Sequence, residues 1–176
     1  MHGAAHSPEQ FDSLRSAERR FGGSRENRPE KNVVRAIAPA DREQWALLWE
    51  GYQKFYKIDL SEEVTRQTWS RFFDGLEPVN ALVAERSGNL VGLVHFIFHR
   101  STWLTGPTCY LQDLFTSEAV RGVGIGRALI EAVYERARLG GAQRVYWLTH
   151  QTNETAMALY DKIADRSGFI QYRKIF

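Results

Sequence analysis

The sequence predicts one α/β domain with a mixed, mostly antiparallel central sheet and helices on both of its faces. Apolar residues recur at helical spacing over residues 41–76, whereas over residues 80–116 they form the runs that are typical of strands. A further helix and another apolar strand follow, and a strand–helix–strand unit favours a parallel, right-handed crossover. With 176 residues and 43% apolar content, the chain is long enough to bury a substantial core.

A change of composition marks the start of this domain. Residues 1–31 are rich in Ser, Gly, Glu and Arg and contain few large apolar residues. Such a segment buries too little apolar surface to offset the entropy of folding. We therefore expect a flexible N-terminal tail over residues 1–31 and the folded domain over residues 32–176.

Charge and cysteine content limit the class of protein. The 23 Lys and Arg residues nearly balance the 21 Asp and Glu residues, so a nucleic-acid partner is not expected. No apolar run is long enough for a membrane span, and the N-terminus lacks the apolar core of a signal peptide, so no membrane partner is expected. Cys109 is the single cysteine, which excludes an intrachain disulfide and fits a cytoplasmic protein.

The first part of the domain is predicted to contain one strand, over residues 33–37, and two helices. The first helix begins near Pro39 and has one face of large side chains: Trp45, Leu48, Trp49, Tyr52 and Tyr56. Ser61 is the expected N-cap of the second helix. Its stripe consists of Val64, Thr68, Phe72 and Leu76.

The rest of the domain is predicted to be a hairpin, a further strand and two helix–strand pairs. A Ser-Gly-Asn turn at residues 87–89 joins the two strands of the hairpin. The expected elements are strands over residues 80–86, 90–100 and 108–116, a helix over 125–139, a strand over 145–149, a helix over 153–164 and a last strand over 169–176. The last strand is expected at an edge, where it is able to pair with a second copy of the chain.

The turn before the helix of residues 125–139 carries the most informative motif. Gly122, Gly124 and Gly126 alternate along the sequence between a strand and this helix, and they let the backbone approach a ligand closely. The free N–H groups and the dipole of the first helical turn favour an anion, and a pyrophosphate fits both features.

Three classes of pyrophosphate ligand are compatible with a glycine-rich turn. A P-loop requires Gly-Lys-Ser/Thr, but Arg127 and Ala128 follow Gly126. A dinucleotide fold requires Gly-x-Gly-x-x-Gly after its first strand and an acid near the end of the next strand, and neither is present. An acyl-coenzyme A site requires Arg/Gln-x-x-Gly-x-Gly/Ala, which matches residues 121–126.

Three blocks together resemble the GNAT N-acetyltransferases: Leu-Gln-Asp-Leu-Phe-Thr at residues 111–116, the glycine turn, and Asn-x-x-Ala-x-x-Leu-Tyr at residues 153–160. The resemblance covers residues 33–176 in the order of elements. The Trp- and Tyr-rich first helices are similar to those of the histone and polyamine acetyltransferase branch. The resemblance implies the acyl-CoA N-acyltransferase fold and acetyl-CoA as co-substrate. No metal is expected, because the sequence contains no cluster of metal-ligating residues.

The resemblance also implies a role for particular residues. The turn would bind the pyrophosphate through backbone N–H groups, with positive charge from two arginines nearby. The strand before it would pair with pantetheine, and the amide of Leu114 would polarise the acetyl carbonyl. The implied cofactor-binding residues are Leu114, Phe115, Thr116, Arg121, Gly122, Val123, Gly124, Ile125, Gly126, Arg127, Ala128, Asn153 and Tyr160.

The implied chemistry requires an acid and a base. Asn153 and Tyr160 are seven residues apart and share a helical face, which would let Tyr160 protonate the departing thiolate. The acceptor amine must lose a proton, for which Asp113 is the first candidate base. Other candidates are Glu85, His95 and His99. Four aromatic residues are candidates for an acceptor pocket that uses cation–π contacts: Tyr52, Tyr56, Trp69 and Trp103.

The expected function is therefore the transfer of acetyl from acetyl-CoA to a primary amine, by direct attack in a ternary complex. The residues leave the acceptor open between a polyamine, an amino acid and a lysine or N-terminal amine of a protein. A non-catalytic module that binds coenzyme A is the alternative. A homodimer is also expected to be possible through the last strand.

Overall fold

A computed structural model describes residues 32–176, which form one five-stranded sheet with helices on both faces. The sheet order is β1-β2-β3-β4-β5, antiparallel except for the parallel pair β4–β5. The strands are β1 (Asn32–Ala36), β2 (Val79–Arg86), β3 (Asn89–His99), β4 (Thr108–Thr116) and β5 (Arg144–Trp147). The predicted mixed sheet and its parallel strand pair are confirmed, while the predicted tail lies outside the described residues.

Four α-helices connect these strands and bury one core on each face of the sheet. They are α1 (Arg42–Tyr56), α2 (Glu62–Arg71), α3 (Ile125–Leu139) and α4 (Glu154–Tyr160), and short 3-10 turns precede α1 and α3. On β3, Val94 and Phe96 pack with α3, whereas Leu93 faces the Trp-rich side of α1. No helix within residues 32–176 is both long and apolar enough to cross a membrane.

A bulge in β4 changes which side chains face which core. His95 of β3 is opposite Asp113, but the next residue, Phe96, is opposite Leu111, so Gln112 is the extra residue in β4. Before the bulge Leu111 packs in the α3 core, and after it Leu114 does so. Asp113 is thereby turned to the α1 side, together with His95.

The two parallel strands separate directly after the bulge. Pairing of β4 with β5 extends only from Thr108 opposite Arg144 to Leu111 opposite Trp147. The remainder of β4, up to Thr116, still pairs with β3 but has no strand on its other side among the described residues. This leaves an open backbone edge beside the glycine turn.

Three predictions about individual elements are wrong. The helix predicted over residues 153–164 ends at Tyr160 and continues as turns, and no strand forms over residues 169–176. Leu76 does not belong to the stripe of α2, because this helix ends at Arg71 and Leu76 is 96% exposed. The N-cap role of Ser61 is confirmed, since its Oγ accepts a hydrogen bond from the Val64 N–H.

An ion pair joins β1 to the start of α1, the helix that carries most of the site aromatics. Two Arg35 nitrogens donate to the two carboxylate oxygens of Asp41, at 2.6 and 2.9 Å. Asp41 also accepts from the Ala38 N–H at 2.8 Å, and its side chain is nearly buried. Hydrogen bonding to Arg35 lowers the pKa of Asp41, against the opposing effect of burial.

We expect Asp41→Asn to lower the free energy of unfolding by about 2 kcal/mol at pH 7, because Arg35 loses a charged, bidentate partner. The pKa of Asp41 is lowered in the folded state, so its stabilisation is present above the unfolded pKa of about 4 and is lost as pH falls further. The difference between variant and wild type should therefore shrink below about pH 4. Urea titrations at several pH values measure this difference in the free energy of unfolding.

Exposed Glu43, in the same helix, provides Glu43→Gln as a control that should change stability by less than about 0.5 kcal/mol. An unchanged difference at low pH would contradict the assignment.

Candidate active site

A buried chain of hydrogen bonds links α1, β3 and β4. The Trp45 indole N–H donates to His95 Nε2 at 3.0 Å, and His95 Nδ1 lies 2.9 Å from Asp113 Oδ2. Exposure of the three residues is 0%, 2% and 7%. Because an indole nitrogen only donates, His95 Nε2 must accept, and the ring proton lies on Nδ1. His95 is thus a neutral donor that fixes the Asp113 carboxylate.

Two tyrosines of α1 connect Asp113 to α4: Tyr52 interacts with Asp113, and Tyr56 interacts with Asn153. Burial is the largest cause that raises the pKa of Tyr52. The negative charge of Asp113 and a hydrogen bond to its carboxylate raise this pKa further. Tyr56 packs on Tyr52, with ring centroids 4.9 Å apart. Burial and then the charge of Asp113 raise the pKa of Tyr56, while a hydrogen bond from Asn153 opposes that rise. Tyr52 and Tyr56 therefore form a line of hydroxyl groups in the field of one carboxylate.

Tyr160 at the end of α4 and Asn153 at its start both interact with Tyr56. Burial raises the pKa of Tyr160 to about 12, with Tyr56 as the second cause. Its ring packs edge-on against Trp147 at 5.3 Å. Asn153 is the N-cap residue of α4, but its side chain does not cap the helix and instead contacts Thr149 and Tyr56. Tyr160 thus stays protonated near neutral pH and is able to donate a proton.

The glycine turn is open to a ligand. Gly122 and Gly124 have φ values of +82° and +87°, a backbone conformation that other residues rarely adopt, and a Cβ at either would meet no atom within 4 Å. Val123 is exposed, whereas Ile125 is buried in the α3 core. The turn therefore presents backbone, and no atom within residues 32–176 fills the space beside Gly122 or Gly124.

Helix α3 supplies the free donors of this turn. The Ala128 N–H already donates to the Gly124 carbonyl at 3.0 Å, so the expected contact of Ala128 with a pyrophosphate is not supported. Among residues 32–176, the first-turn N–H groups of Ile125, Gly126 and Arg127 have no helical acceptor. They point out of the positive end of the helix.

Two arginines flank the turn and are both ion-paired on the surface. Arg121 binds Glu118 at 3.1 Å and lies over the Phe55 ring at 5.7 Å, while Arg127 binds Glu131 at 2.9 Å. Arg121 therefore links the turn to the end of α1. Both guanidinium groups contribute positive charge near the turn, but each is already partly neutralised by an acid.

The open edge of β4 carries backbone donors beside the turn. The Ser117 N–H donates to the Val91 carbonyl across the β3–β4 pair. Since donors alternate along an antiparallel strand, the amides of Leu114 and Thr116 point away from β3, to the open edge. The amide of Phe115 points toward β3, and its ring fills the space at Gly51, 2.8 Å from where a Cβ would stand. A contact of Phe115 with the cofactor therefore has no amide to support it.

These separate elements converge on one place. A Cβ built at Gly126 would lie 3.9 Å from both Thr116 and Leu159, so the turn, the end of β4 and α4 are in contact distance. The free amides, the open turn and the protonated Tyr160 therefore belong to one candidate site, at the opening between β4 and α4.

A cavity of about 340 Å³ lies beside this opening. It is lined by Trp49, Tyr52, Ile58, Leu60, Val64, Thr68, Arg71, Phe72, Val79, His95, Ile97, Gln112 and Asp113. Asp113 and Gln112 directly precede Leu114, so the cavity adjoins the strand segment whose amide faces the open edge. Its size suits a small molecule.

Several of the other candidate bases and aromatic residues do not line this cavity: Glu85, His99, Trp69 and Trp103. Glu85 accepts a hydrogen bond from Arg35 at 2.8 Å, and His99 contacts Tyr146 on the exposed end of β3. Trp69 packs on Trp45 in the α1 core, and Trp103 is exposed in a separate depression. Of the four predicted aromatic residues, Tyr52 lines the cavity, and Tyr56 packs on the Tyr52 ring.

Sequence reasoning missed the link from Trp45 through His95 to Asp113, and it missed Arg71. The shared helical spacing of Trp45 and Tyr52 was visible in the sequence. The opposition of His95 and Asp113 depends on the strand register and the bulge, which leave no local signal.

Comparisons with known proteins are consistent with this geometry. The model of the acetyltransferase (GNAT) family matches residues 43–164. The chain is 37% identical over 144 residues to the D-amino-acid N-acetyltransferase HPA3 of Saccharomyces cerevisiae, covering 81% of this chain and 89% of the relative. It is 33% identical over 130 residues to the thialysine N-epsilon-acetyltransferase of Mus musculus, covering 67% and 75%. An aminoglycoside N-acetyltransferase solved in complex with CoA has the same fold, with a TM-score of 0.72 at 16% identity, covering 84% of this chain and 97% of that one.

We expect nitrogen NMR at pH 7 to show His95 as the neutral Nδ1–H tautomer, because Trp45 donates to Nε2. In Trp45→Phe the donor to Nε2 is lost while Asp113 still accepts from Nδ1–H, so the Nδ1–H tautomer should persist and the Nε2 resonance should shift. Long-range proton–nitrogen spectra distinguish the two forms. A charged ring or an Nε2–H ring in the wild type would contradict the assignment.

Proposed function

This chain belongs to the acetyltransferase (GNAT) family and is an N-acetyltransferase, and from that premise we propose that it transfers acetyl from acetyl-CoA to the primary amine of a small molecule. The convergence of the open glycine turn, the free edge of β4 and Tyr160 carries the proposal. Acetyl-CoA would supply the activated acetyl group as a co-substrate.

Backbone groups are proposed to bind this co-substrate. The N–H groups of Ile125, Gly126 and Arg127 would bind the pyrophosphate, with the glycines allowing close approach. Thr116 would pair with the pantetheine arm as a neighbouring strand does. The amide of Leu114 would donate to the acetyl oxygen, where negative charge develops during the reaction. Asn153 would bind near the pantetheine end.

Side chains are proposed to move the protons. Asp113 would accept the proton of the acceptor ammonium, through the hydroxyl of Tyr52 where the distance requires it. The amine nitrogen would then bond to the acetyl carbon as the carbon–sulfur bond breaks. Tyr160 would give its proton to the sulfur, and the nitrogen would lose its second proton as the amide forms, which restores the Tyr160 hydroxyl through solvent. His95 and Trp45 would be positioning residues that hold Asp113 on the α1 side.

Two observations support a small acceptor over a protein. Two relatives that cover 81% and 67% of this chain are named for acetylation of D-amino acids and of thialysine, both small amines. The cavity of about 340 Å³ adjoins the proposed thioester position, and a volume of this order encloses a small ligand. We therefore propose an amino acid as the acceptor class.

The sequence also left open a non-catalytic module that binds coenzyme A, which membership of the acetyltransferase family disfavours. The open turn and free edge would serve binding equally well, so these features do not separate the two. Tyr160 and Asp113 do, because binding alone requires neither a buried proton donor nor a carboxylate beside the thioester. Measured turnover decides between the two candidates.

We also propose a cytoplasmic homodimer. Cys109 is buried and unpaired, which suits a reducing compartment. After α4 the chain exposes a series of large apolar side chains: Phe169, Ile170, Tyr172, Ile175 and Phe176. Within the described residues, β5 has an unpaired outer edge. A second copy that adds its C-terminal segment at this edge would cover both the β5 edge and the exposed apolar side chains.

We expect Tyr160→Phe to lower turnover by at least about tenfold, because the general acid is lost. The dissociation constant for coenzyme A should change by less than about twofold. Thiol release with acetyl-CoA and a panel of amines measures the first, and calorimetry with coenzyme A measures the second. Tyr146→Phe is the matched control, since the Tyr146 hydroxyl contacts His99 at the exposed end of β3, away from the site.

The same assay with Asp113→Asn should also show a loss of at least about tenfold, with coenzyme binding retained. Full turnover in either variant would remove that residue from the chemistry. Coenzyme binding without acetyl transfer to any amine by the wild type would favour the binding module.

We expect light scattering to give twice the mass of one chain, and removal of residues 169–176 to give a single chain. The truncation exposes β5 but removes the apolar segment that would pair with it. A monomeric wild type at all concentrations would contradict the dimer.

A further inference from the structure

We propose that Arg71 binds the carboxylate of the acceptor, so that the acceptor is an α-amino acid with an apolar side chain. This inference rests on the proposed acetyltransferase function and narrows it. It assigns a specificity-determining residue to the cavity beside Asp113.

The cavity carries one positive and one negative side chain. Arg71, the last residue of α2, and Asp113 of β4 both line it. Arg71 pairs with Glu77, with Nε 3.4 Å from the carboxylate, rather than with Asp113. His95 adds no charge, because Trp45 donates to its second nitrogen. The two charges therefore remain separate and available to two different groups of a ligand.

Two buried donors in the cavity lining have no acceptor. Trp49 Nε1 and Arg71 Nε are buried and have no hydrogen-bond partner among residues 32–176. Buried donors are nearly always satisfied in folded proteins. The ion pair with Glu77 is too long to satisfy Nε, and Trp49 itself is only 5% exposed. These two nitrogens are closed to solvent, but the Arg71 side chain as a whole is 43% exposed and lines the cavity, so an anionic ligand there would contact the outer guanidinium nitrogens.

The other residues that line the cavity indicate which chemical group the rest of the ligand carries. Most of it is apolar: Ile58, Leu60, Val64, Phe72, Val79 and Ile97. These residues favour an apolar side chain on the ligand. An α-amino acid then has one group for each part of the cavity. Its amine would lie near Asp113 and the thioester, and its carboxylate would lie at Arg71 in the planar geometry that a guanidinium prefers.

The same features disfavour the other acceptors. A polyamine would bring a second ammonium close to Arg71, where like charges repel, and would leave the apolar wall without a matching group. An amine that lacks a carboxylate would leave the Arg71 guanidinium without an anionic group of the ligand to bind, which lowers affinity. A cavity of about 340 Å³ also has little room for a polycyclic aminoglycoside.

The test compares each amino acid with the amine that lacks its carboxylate. Thiol release is measured for both enantiomers of leucine and phenylalanine, for 3-methylbutylamine and phenethylamine, and for spermidine. In the wild type, kcat/KM should favour at least one enantiomer of an amino acid by at least about tenfold over its matched amine. In Arg71→Gln this preference should fall to within about twofold, through loss of amino-acid turnover.

Two control variants separate recognition from folding. Glu77→Gln removes the ion pair of Arg71 but keeps the guanidinium, so the preference should remain. Arg66→Gln changes an exposed arginine of the same helix and should also leave it unchanged. A preference lost equally in Glu77→Gln, or an equal loss for amines and amino acids in Arg71→Gln, would overturn the inference. A wild type that prefers spermidine or the plain amines would overturn it while leaving acetyl transfer intact.

Calorimetry keeps the two proposals distinguishable. If the wild type transfers acetyl to no amine, the proposed function fails. Titration of the same amino acids into protein saturated with coenzyme A then decides the inference alone. Binding that weakens at least about tenfold in Arg71→Gln supports it, whereas no binding to the wild type, or equal binding to both, overturns it.

Discussion

The β-bulge at Gln112 is the constraint on which the arrangement of the site depends. One extra residue turns Asp113 to the α1 side while Leu111 and Leu114 remain in the α3 core. Directly after it, β4 loses its pairing with β5 and keeps an open edge. A regular strand would have directed Asp113 into an apolar core and extended the sheet across the opening. A single local irregularity thus provides both a buried carboxylate and free amides.

A buried carboxylate is stable only when it is hydrogen-bonded, and the α1 side meets this requirement. His95 donates to Asp113 and is itself held by Trp45. The Trp49 and Phe72 rings lie 5.1 and 4.8 Å from the His95 ring and exclude water from it. The aromatic residues of the first two helices are therefore both a core and a rigid support for the proposed base.

The two halves of the site use different parts of the chain. Proposed coenzyme contacts come mainly from backbone groups of the turn and of β4, whose geometry depends on glycine and on strand pairing. Proposed acceptor contacts come from side chains of α1, α2, β3 and β4 that line one cavity. This division explains why a short motif indicated the coenzyme, whereas no motif indicated the acceptor.

The sequence by itself determined the features that depend on neighbouring residues. Alternating glycines before α3, the seven-residue spacing of Asn153 and Tyr160 and the change of hydrophobic period were enough for the fold and the family. Only the tertiary structure decided that His95 is opposite Asp113, that Arg71 lines the cavity and that residues 169–176 form no strand within this chain. The physical reason is that glycine conformation and helical periodicity are local properties. Strand register, bulges and edge pairing depend on partners that are distant in sequence, so an apolar segment such as residues 169–176 has the composition of a strand without the partner that would make it one.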